Sequence, residues 1–411
     1  MAITEQRRPD VCCDIAVPSS SVRKIPVSTI TTPTVTIGLP VYNGENYLAE
    51  AIESVLAQTY EDYELVICDN ASTDRTEQIS QQYAQRDGRI RYYRSLRNQG
   101  PAWNYNRTFR LARGRYFKWA AHDDVFDATL IEKLVFQLEQ HPQAVLSFSQ
   151  VEIINAAGEL IKPYAVEMQL NGDRPARRFK EMISLKHRCY EVFGLIRTAA
   201  LFDTPLIGSY AGSDRVLLSR LSLQGRFEIV PEPLFKAREH DQQSIAMLRK
   251  PRFKLLRMHD YAVWFDPNNK GKILFPNWRI LAEYLSAINQ VSIRTSDKAA
   301  CVWVLCQWLL AYGNVAKLGR DVAIAAAQII GRLRHTDQSQ SASASQLVEQ
   351  SRSIPDIAPN TAPNIAPNIA PNMVTSITSN RSAHLNPRDC SYGNADVSDE
   401  LIKVNNSSLK P

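Results

Sequence analysis

The chain has 411 residues, of which 44% are hydrophobic and 22% charged, and its formal net charge is +6. This composition excludes a wholly disordered, collagen-like or coiled-coil chain. The weak positive charge suits phosphate-bearing ligands or an anionic membrane surface, but solubility explains it equally well. No run of 18 or more apolar residues occurs, so an ordinary transmembrane helix is not predicted.

The N-terminal residues lack the basic-then-apolar order of a secretory signal, and the seven cysteines lack the paired spacing of a zinc site. Both features predict reduced thiols in a cytoplasmic protein. Nucleic-acid binding is not predicted, because no basic stripe with interleaved aromatic residues is present.

Four parts follow one another along the chain. Residues 1–33 predict a flexible leader, and 34–245 alternate between strand-like and helix-like patterns. Residues 246–335 predict a helical extension, and 336–411 a disordered tail. The tail contains four tandem units ending in Ala-Pro-Asn between Ile357 and Asn372, and it cannot bury enough apolar surface to offset its ordering entropy.

The alternating part predicts an α/β fold. Its predicted strands are Val35–Val41, Tyr63–Cys68, Arg89–Arg94, Tyr116–Ala121 and Ala144–Ile154. The predicted helices between them are Asn46–Gln58, one opened by a capping box at Asp74 and Glu77, Pro101–Arg113, and one capped by Asp127. Strands that alternate with helices indicate a mostly parallel sheet covered on both faces.

Polar residues cluster where the predicted strands end. The pairs are Tyr42 with Asn43, Asp69 with Asn70, and Asp123 with Asp124. Ligands of such sheets bind beyond the carboxyl ends of the strands, so this clustering is the main functional signal in the sequence.

Asp123 and Asp124 follow an apolar strand, where two adjacent carboxylates are costly unless a positive group compensates them. A hard divalent cation such as Mg²⁺ or Mn²⁺, bridging to substrate phosphates, is one solution. The other solution is a helix N-terminus, where the helix dipole stabilises acidic side chains. The aspartate pair alone does not decide between these two interpretations.

Two common nucleotide-binding classes are disfavoured. The first strand is followed by Tyr42-Asn43-Gly44 rather than by the glycine pattern of dinucleotide-binding domains. No Gly-rich phosphate loop ending in Gly-Lys-Ser/Thr is present either. A hydride-transfer enzyme or nucleoside triphosphatase of the usual kind is therefore not expected.

Several motifs together resemble family 2 glycosyltransferases over residues 34–245. They are Pro40–Leu48, Cys68–Thr76, Asn98 with Gly100 and Asn106, Gly114–Tyr116, and His122-Asp123-Asp124. The resemblance implies a GT-A fold, an αβα sandwich with a nucleotide-binding half (34–125) and an acceptor half (126–245).

The resemblance also implies roles for individual residues. Tyr42 would pack on the nucleotide base, Asp69 and Asn70 would hydrogen-bond it, and Asp124 would ligate the metal. The implied nucleotide-sugar-binding residues are Pro40, Tyr42, Glu45, Asp69, Asn70, Asn98, Asp123 and Arg238. The implied metal-site residues are Asp124, Asp123 and His240.

In the acceptor half, Asp214 lies where inverting members of the family place their catalytic base, although an aspartate that caps a helix is the alternative. Arg238 and His240 match the family's closing motif, with Arg238 expected to neutralise phosphate charge. Glu191, Phe193 and Gly194 are expected on the acceptor side.

The implied reaction is a metal-dependent, inverting sugar transfer from a UDP- or GDP-sugar to a glycan or lipid-linked acceptor, in polysaccharide or cell-surface glycan synthesis. A nucleotidyltransferase on a similar sheet and a non-catalytic sugar-nucleotide-binding protein remain alternatives. The hydrophobic segment Ala299–Tyr312, with basic residues near it, predicts either a core helix or a helix lying on the inner face of the membrane.

Overall fold

The computed structural model describes residues 32–243, 257–311 and 313–352. Its strands are β1 Val35–Val41, β2 Tyr63–Asp69, β3 Ile90–Arg94, β4 Tyr116–Trp119, β5 Val125–Phe126, β6 Ala144–Ile154, β7 Leu160–Tyr164, β8 Leu195–Arg197 and β9 Arg226–Arg238. Its helices are α1 Leu48–Leu56, α2 Thr76–Arg86, α3 Pro101–Arg110, α4 Leu130–Gln140, α5 Pro175–Ser184, α6 Thr198–Phe202, α7 Ser213–Gln224, α8 Arg257–Phe265, α9 Pro276–Gln290, α10 Thr295–Leu310 and α11 Asn314–Arg352. Short 3-10 turns cover Tyr190–Phe193 and Pro267–Asn269.

One mixed sheet runs through the described part of the chain in the order β3-β2-β1-β4-β8-β6-β9-β5, with β7 added beside β6. The first four strands are mutually parallel. Beyond β4 the pairings are antiparallel except for the long β6–β9 pair. The predicted α/β class is confirmed, and the predicted parallel order holds for the first half of the sheet. In the second half, neighbouring strands reverse direction.

The centre of the sheet tolerates Pro40 for a geometric reason. Gly38 of β1 accepts a hydrogen bond from Ala120, so alternate residues of β1 face β4. Pro40 faces the same side, but the register between β1 and β4 ends at Gly38 and Trp119. The missing N–H of Pro40 therefore leaves no ladder bond unmade.

Apolar side chains fill both faces of the sheet. One face packs on α1, α2 and α4, through residues such as Leu48, Ile52 and Leu134. The other packs on α3, α6 and α7, through residues such as Phe109 and Leu217. Strands covered on both sides are apolar throughout, which is why β1 and β2 are buried along their whole length.

A third apolar cluster joins the helical extension to the acceptor half. Phe179 of α5 and Val216 of α7 pack there with Tyr284 of α9 and Val304 of α10. Arg220 of α7 is buried in the same interface and donates to Glu283 and Gln290 of α9. None of the helices in the described ranges is by itself long and apolar enough to cross a membrane, although the pair Thr295–Leu310 and Asn314–Leu333 reaches that length and composition across a bend of 69°.

Two sequence predictions differ from the structure. Helix α11 continues to Arg352, so residues 336–352 are helical, although the sequence predicts disorder from 336 onward. The Ala-, Gln- and Ser-rich segment there lacks proline and glycine, which allows a helix to continue. The predicted capping box is wrong: the Asp74 carboxylate accepts from Thr76 and Glu45, whereas Glu77 pairs with Arg94. The leader up to residue 31 and the Ala-Pro-Asn units lie outside the described residues.

Candidate active site

The turns after β1 and β2 are joined by side-chain hydrogen bonds. The backbone N–H groups of Asn43, Gly44 and Glu45 donate to side chains of the segment 72–76. In return, Asn43 accepts from the backbone of Thr73 at 2.8 Å. This network holds Tyr42, which is 44% exposed, at the carboxyl end of β1.

Asp69 is fully buried at the end of β2. Its carboxylate accepts from the Ser72 backbone at 2.8 Å, the Tyr92 hydroxyl at 2.9 Å and Arg94 Nη1 at 3.0 Å. A carboxylate offers about four acceptor positions, so three protein donors leave one unoccupied, but the side chain has no exposed surface in this structure. The predicted hydrogen bond from a base to Asp69 stays a prediction.

Asn70 fixes the loop that follows β3. Its amide donates to Asn98 Oδ1 at 2.9 Å and to the Gly100 carbonyl at 3.1 Å, and it accepts from the Gln99 N–H at 3.0 Å. Both amide hydrogens are thus used within the protein. The structure gives Asn70 a positioning role, and its contact with the base is untested.

The carboxylates of Asp123 and Asp124 point to different partners. Asp123 Oδ2 lies 3.0 Å from His240 Nε2, and Asp124 Oδ1 accepts from the Arg238 backbone at 3.0 Å. Burial and the neighbouring charge of Asp123 raise the pKa of Asp124 well above its usual range. Burial acts in the same direction on Asp123, but the hydrogen bond to His240 and the nearby histidines outweigh it and lower the pKa of Asp123.

This donor set fits a divalent cation that is shared with a substrate. Within residues 32–243, 257–311 and 313–352, no group of three or more His, Cys, Asp or Glu side chains is placed to hold a metal. Asp123, Asp124 and His240 therefore do not form the predicted three-residue set, because His240 is bound to Asp123. Mg²⁺ is commonly held by one or two carboxylates together with substrate phosphates, and Asp124, which is buried, and Asp123, which is partly exposed, would provide such carboxylates.

Arg238 does not face a phosphate site, so that prediction is wrong. Its guanidinium is buried, donates to the backbone carbonyls of Asp123, Asn155 and Ala156, and pairs with Glu50 at 2.6 Å. The strand β9 ends at this residue, and its guanidinium locks the loop that carries the two aspartates. Arg238 is therefore a positioning residue.

The loop after β1 and the loop after β4 lie against each other. A side chain at Gly44 would come within 2.7 Å of the His122 ring, so only glycine fits there. The ring of Tyr47 packs on that of His240 with centroids 4.9 Å apart. Tyr42 and the aspartate pair thus belong to one edge of the sheet, as the sequence predicts.

Asp214 is in the first turn of α7, where its carboxylate accepts from the adjacent Arg215 backbone at 2.8 Å. Arg215 in turn donates to the carbonyls of Met182, Leu185 and His187, which fixes the loop beside the helix. The Asp214 carboxylate also has a hydrogen bond with the Cys189 thiol. Unlike the fully buried Asp69, Asp214 is partly exposed.

The electrostatic environment of Tyr105 includes carboxylates from both halves of the site. Burial raises the pKa of Tyr105, and the charges of Asp123, Asp124 and Asp214 raise it further. All three carboxylates are therefore within electrostatic reach of one hydroxyl. Asp214 is brought towards the aspartate pair although 90 residues separate it from Asp124 in the sequence.

Sequence reasoning missed Lys118. This residue of β4 is buried, its ammonium donates to the Phe193 carbonyl, and it lies 4.4 Å from the Phe126 ring centre. Burial lowers the pKa of Lys118 to about 7, against the attraction of Asp124. A lysine within an apolar strand pattern was the available signal.

The remaining predicted residues have protein partners. Glu45 accepts from the Arg75 side chain at 3.1 Å, and Glu191 is buried against His187 at 3.2 Å. Phe193 and Gly194 follow Glu191 next to β8. Their predicted contacts with the donor or acceptor stay predictions.

Comparison with known proteins identifies the family. The sequence profile described as "Glycosyl transferase family 2" matches residues 36–202. An uncharacterized glycosyltransferase of Methanocaldococcus jannaschii is 30% identical over 209 residues, which cover 50% of this chain and 71% of that protein. The chain belongs to glycosyltransferase family 2. An uncharacterized glycosyltransferase of Rickettsia typhi is 30% identical over 216 residues, which cover 52% of this chain. The match spans 66% of the Rickettsia protein, just under two thirds of that protein's length.

Among solved structures, TarS of S. aureus in complex with UDP-GlcNAc is similar, with a TM-score of 0.44 and 15% identity. The alignment covers 72% of this chain and 92% of that one.

Proposed function

We propose that the protein transfers a sugar from a nucleotide-diphosphate donor, a UDP- or GDP-sugar, to an acceptor hydroxyl with inversion at the anomeric carbon. The observation that carries the proposal is the placement of Tyr42, Asp69 and the Asp123–Asp124 pair at or just beyond the carboxyl ends of the neighbouring parallel strands β1, β2 and β4. Family 2 membership supplies the reaction class.

The donor would lie across the carboxyl ends of β1, β2 and β4. Tyr42 offers an exposed ring for the base, and Asp69, fully buried at the end of β2, would reach the base only after the residues that cover it move. Asp124 and Asp123 are the residues that would hold Mg²⁺ or Mn²⁺. A divalent cation there supplies charge stabilisation for the leaving diphosphate.

Asp214 would accept the proton of the acceptor hydroxyl. At the same time the hydroxyl oxygen would bond to the anomeric carbon, and the bond between that carbon and the diphosphate oxygen would break. General-base assistance of this kind contributes roughly 10²- to 10⁴-fold to a rate. His240 orients the Asp123 carboxylate, and Arg238 holds the backbone between the two aspartates and β9.

We further propose a glycan or lipid-linked acceptor and a place in polysaccharide or cell-surface glycan synthesis at the inner face of the membrane. The helical extension packs against α7, whose first turn contains Asp214. This packing supports an acceptor that approaches Asp214 from the side of the extension.

Calorimetry with UDP and GDP, each with and without Mn²⁺, tests the donor site. A screen of sugar nucleotides for metal-dependent hydrolysis then tests the reaction. Binding that depends on the cation, followed by release of the nucleoside diphosphate, is expected. Binding without hydrolysis or transfer would instead support a non-catalytic sugar-nucleotide-binding protein.

A further inference from the structure

The outward sides of α10 and α11 are apolar, although charged residues normally cover the outward side of a surface helix. On α10 the exposed positions from Ala299 onward recur every three or four residues, which is one helical stripe. We call the following set the outer apolar face: Ala299, Val302, Trp303, Cys306 and Leu310 of α10, and Val315, Gly319, Val322, Ala326, Ile330 and Leu333 of α11.

The exposure of this face is large. Trp303 is 66% exposed. Leu310, next to the bend between the two helices, is 84% exposed. Between Val315 and Leu333 the exposed positions of α11 include one charged residue, Arg332. Contiguous exposed apolar surface of this kind marks a docking site rather than ordinary solvent-facing helix.

The opposite sides of both helices already have their partners. Val304 and Leu305 of α10 pack in the cluster shared with α5, α7 and α9. On α11, the buried Asp321 accepts from the backbone and the amide of Asn277 at 2.7 and 2.8 Å. The helices are therefore fixed in this orientation, and rotation of the apolar side into the core would break those contacts.

Basic residues outnumber acidic ones along residues 294–333 of α10 and α11, and each of the two carboxylates there has a partner within the protein. Residues 294–333 contain five basic side chains and two acidic ones. Asp297 pairs with Arg294 at 2.9 Å, and Asp321 is on the buried side of α11. The basic residues are Arg294, Lys298, Lys317, Arg320 and Arg332.

We propose that the outer apolar face lies on an anionic lipid surface, with α10 and α11 in the plane of the interface. Apolar side chains flanked by cations suit the boundary between acyl chains and anionic headgroups, and tryptophan is enriched at that level. A second copy of the chain is a poorer occupant, because a two-fold contact brings the same patch of each copy together and opposes like charges at its rim.

Sedimentation of the full chain with vesicles tests the proposal, with vesicles of phosphatidylcholine alone or mixed with phosphatidylglycerol. The wild type is expected to bind the anionic vesicles more strongly. The double variant Trp303→Glu/Val322→Glu places charge on both helices and is expected to bind them at least about tenfold less. Phe136→Glu is the matched control: Phe136 is 59% exposed on α4, outside this face, and its replacement should leave binding unchanged.

Unchanged UDP binding and thermal unfolding of the double variant show that it is folded, and vesicle binding is read independently of sugar transfer. Acyl chains labelled with bromine should quench tryptophan fluorescence in the wild type and less in Trp303→Phe. Equal vesicle binding by the wild type and the double variant overturns the proposal. A wild-type dimer that the double variant converts to monomers, without vesicle binding by either, also overturns it and assigns the face to contact between copies.

Discussion

The two halves of the site differ in how completely their polar side chains are hydrogen-bonded within the protein. In the donor half, Asp69 and Asn70 each have three protein hydrogen bonds, and the turns after β1 and β2 are tied together. In the acceptor half, the Asp214 carboxylate is partly exposed, and its hydrogen bonds are with the backbone of the next residue and the Cys189 thiol. The difference suggests a donor site built before the donor arrives and a base left available for a proton.

The largest expected effect is that of Asp214→Asn. The amide keeps the hydrogen bond from Arg215 but cannot act as a base, so kcat should fall roughly 10²- to 10⁴-fold. Donor affinity, measured by calorimetry, should be unchanged. Asp297→Asn, in the first turn of α10, is the control for a purely helix-stabilising acid. A lower Tm with unchanged kcat in Asp214→Asn would give Asp214 the capping role instead.

Loss of the buried pair between α7 and α9 comes next. Arg220→Met removes the bonds to Glu283 and Gln290 and should lower the free energy of unfolding by about 3 kcal/mol. The value is at the low end for a broken buried pair because Arg279 still pairs with Glu283 at 2.7 Å. Denaturant unfolding measures it. Lys133→Ala, which breaks an exposed pair with Glu232, should give no measurable change.

Asn70→Ala tests whether the donor half is held by its own hydrogen bonds. Three bonds to the loop 98–100 are lost and buried backbone groups are left unpaired, so the free energy of unfolding should fall by about 2 kcal/mol. Thermal unfolding followed by circular dichroism measures the change. Wild-type stability would show that this loop is held by other contacts.

Tyr42→Ala should have the smallest effect, and it should weaken ligand binding rather than stability. The ring is half-exposed, so stability should stay within about 0.5 kcal/mol of the wild type. Loss of stacking on the base should weaken UDP or GDP binding by about 1 kcal/mol, near the low end for base–aromatic contacts. Tyr42→Phe, which keeps the ring, should retain wild-type affinity. Equal affinity in the alanine variant would remove Tyr42 from the site.

Local sequence patterns predicted much of the first half. The strand Val35–Val41 has its predicted bounds, because a strand buried in the sheet leaves a nearly continuous apolar run. The long strand Ala144–Ile154 of the acceptor half also has its predicted bounds. The clustering of Tyr42, Asp69 and Asp123 at one edge also follows from the sequence, since parallel strands end on the same side.

Where side-chain partners come from distant segments, the sequence could not decide. Nothing local to Arg238 indicates that its guanidinium faces Glu50, 188 residues earlier, rather than a phosphate. The same holds for Glu77, whose predicted capping role is replaced by an ion pair with Arg94 across to β3.

The sequence by itself determined most of the order of strands and helices as far as Ile154, the family, and the edge where the acidic residues gather, because periodicity and turn residues act over a few positions. Only the tertiary structure decided which of those polar groups are already satisfied and which side of α10 and α11 is left outward. Burial and hydrogen bonding depend on what packs against each side chain, and at Asp214, Arg238 and Trp303 that neighbour is set by the whole fold.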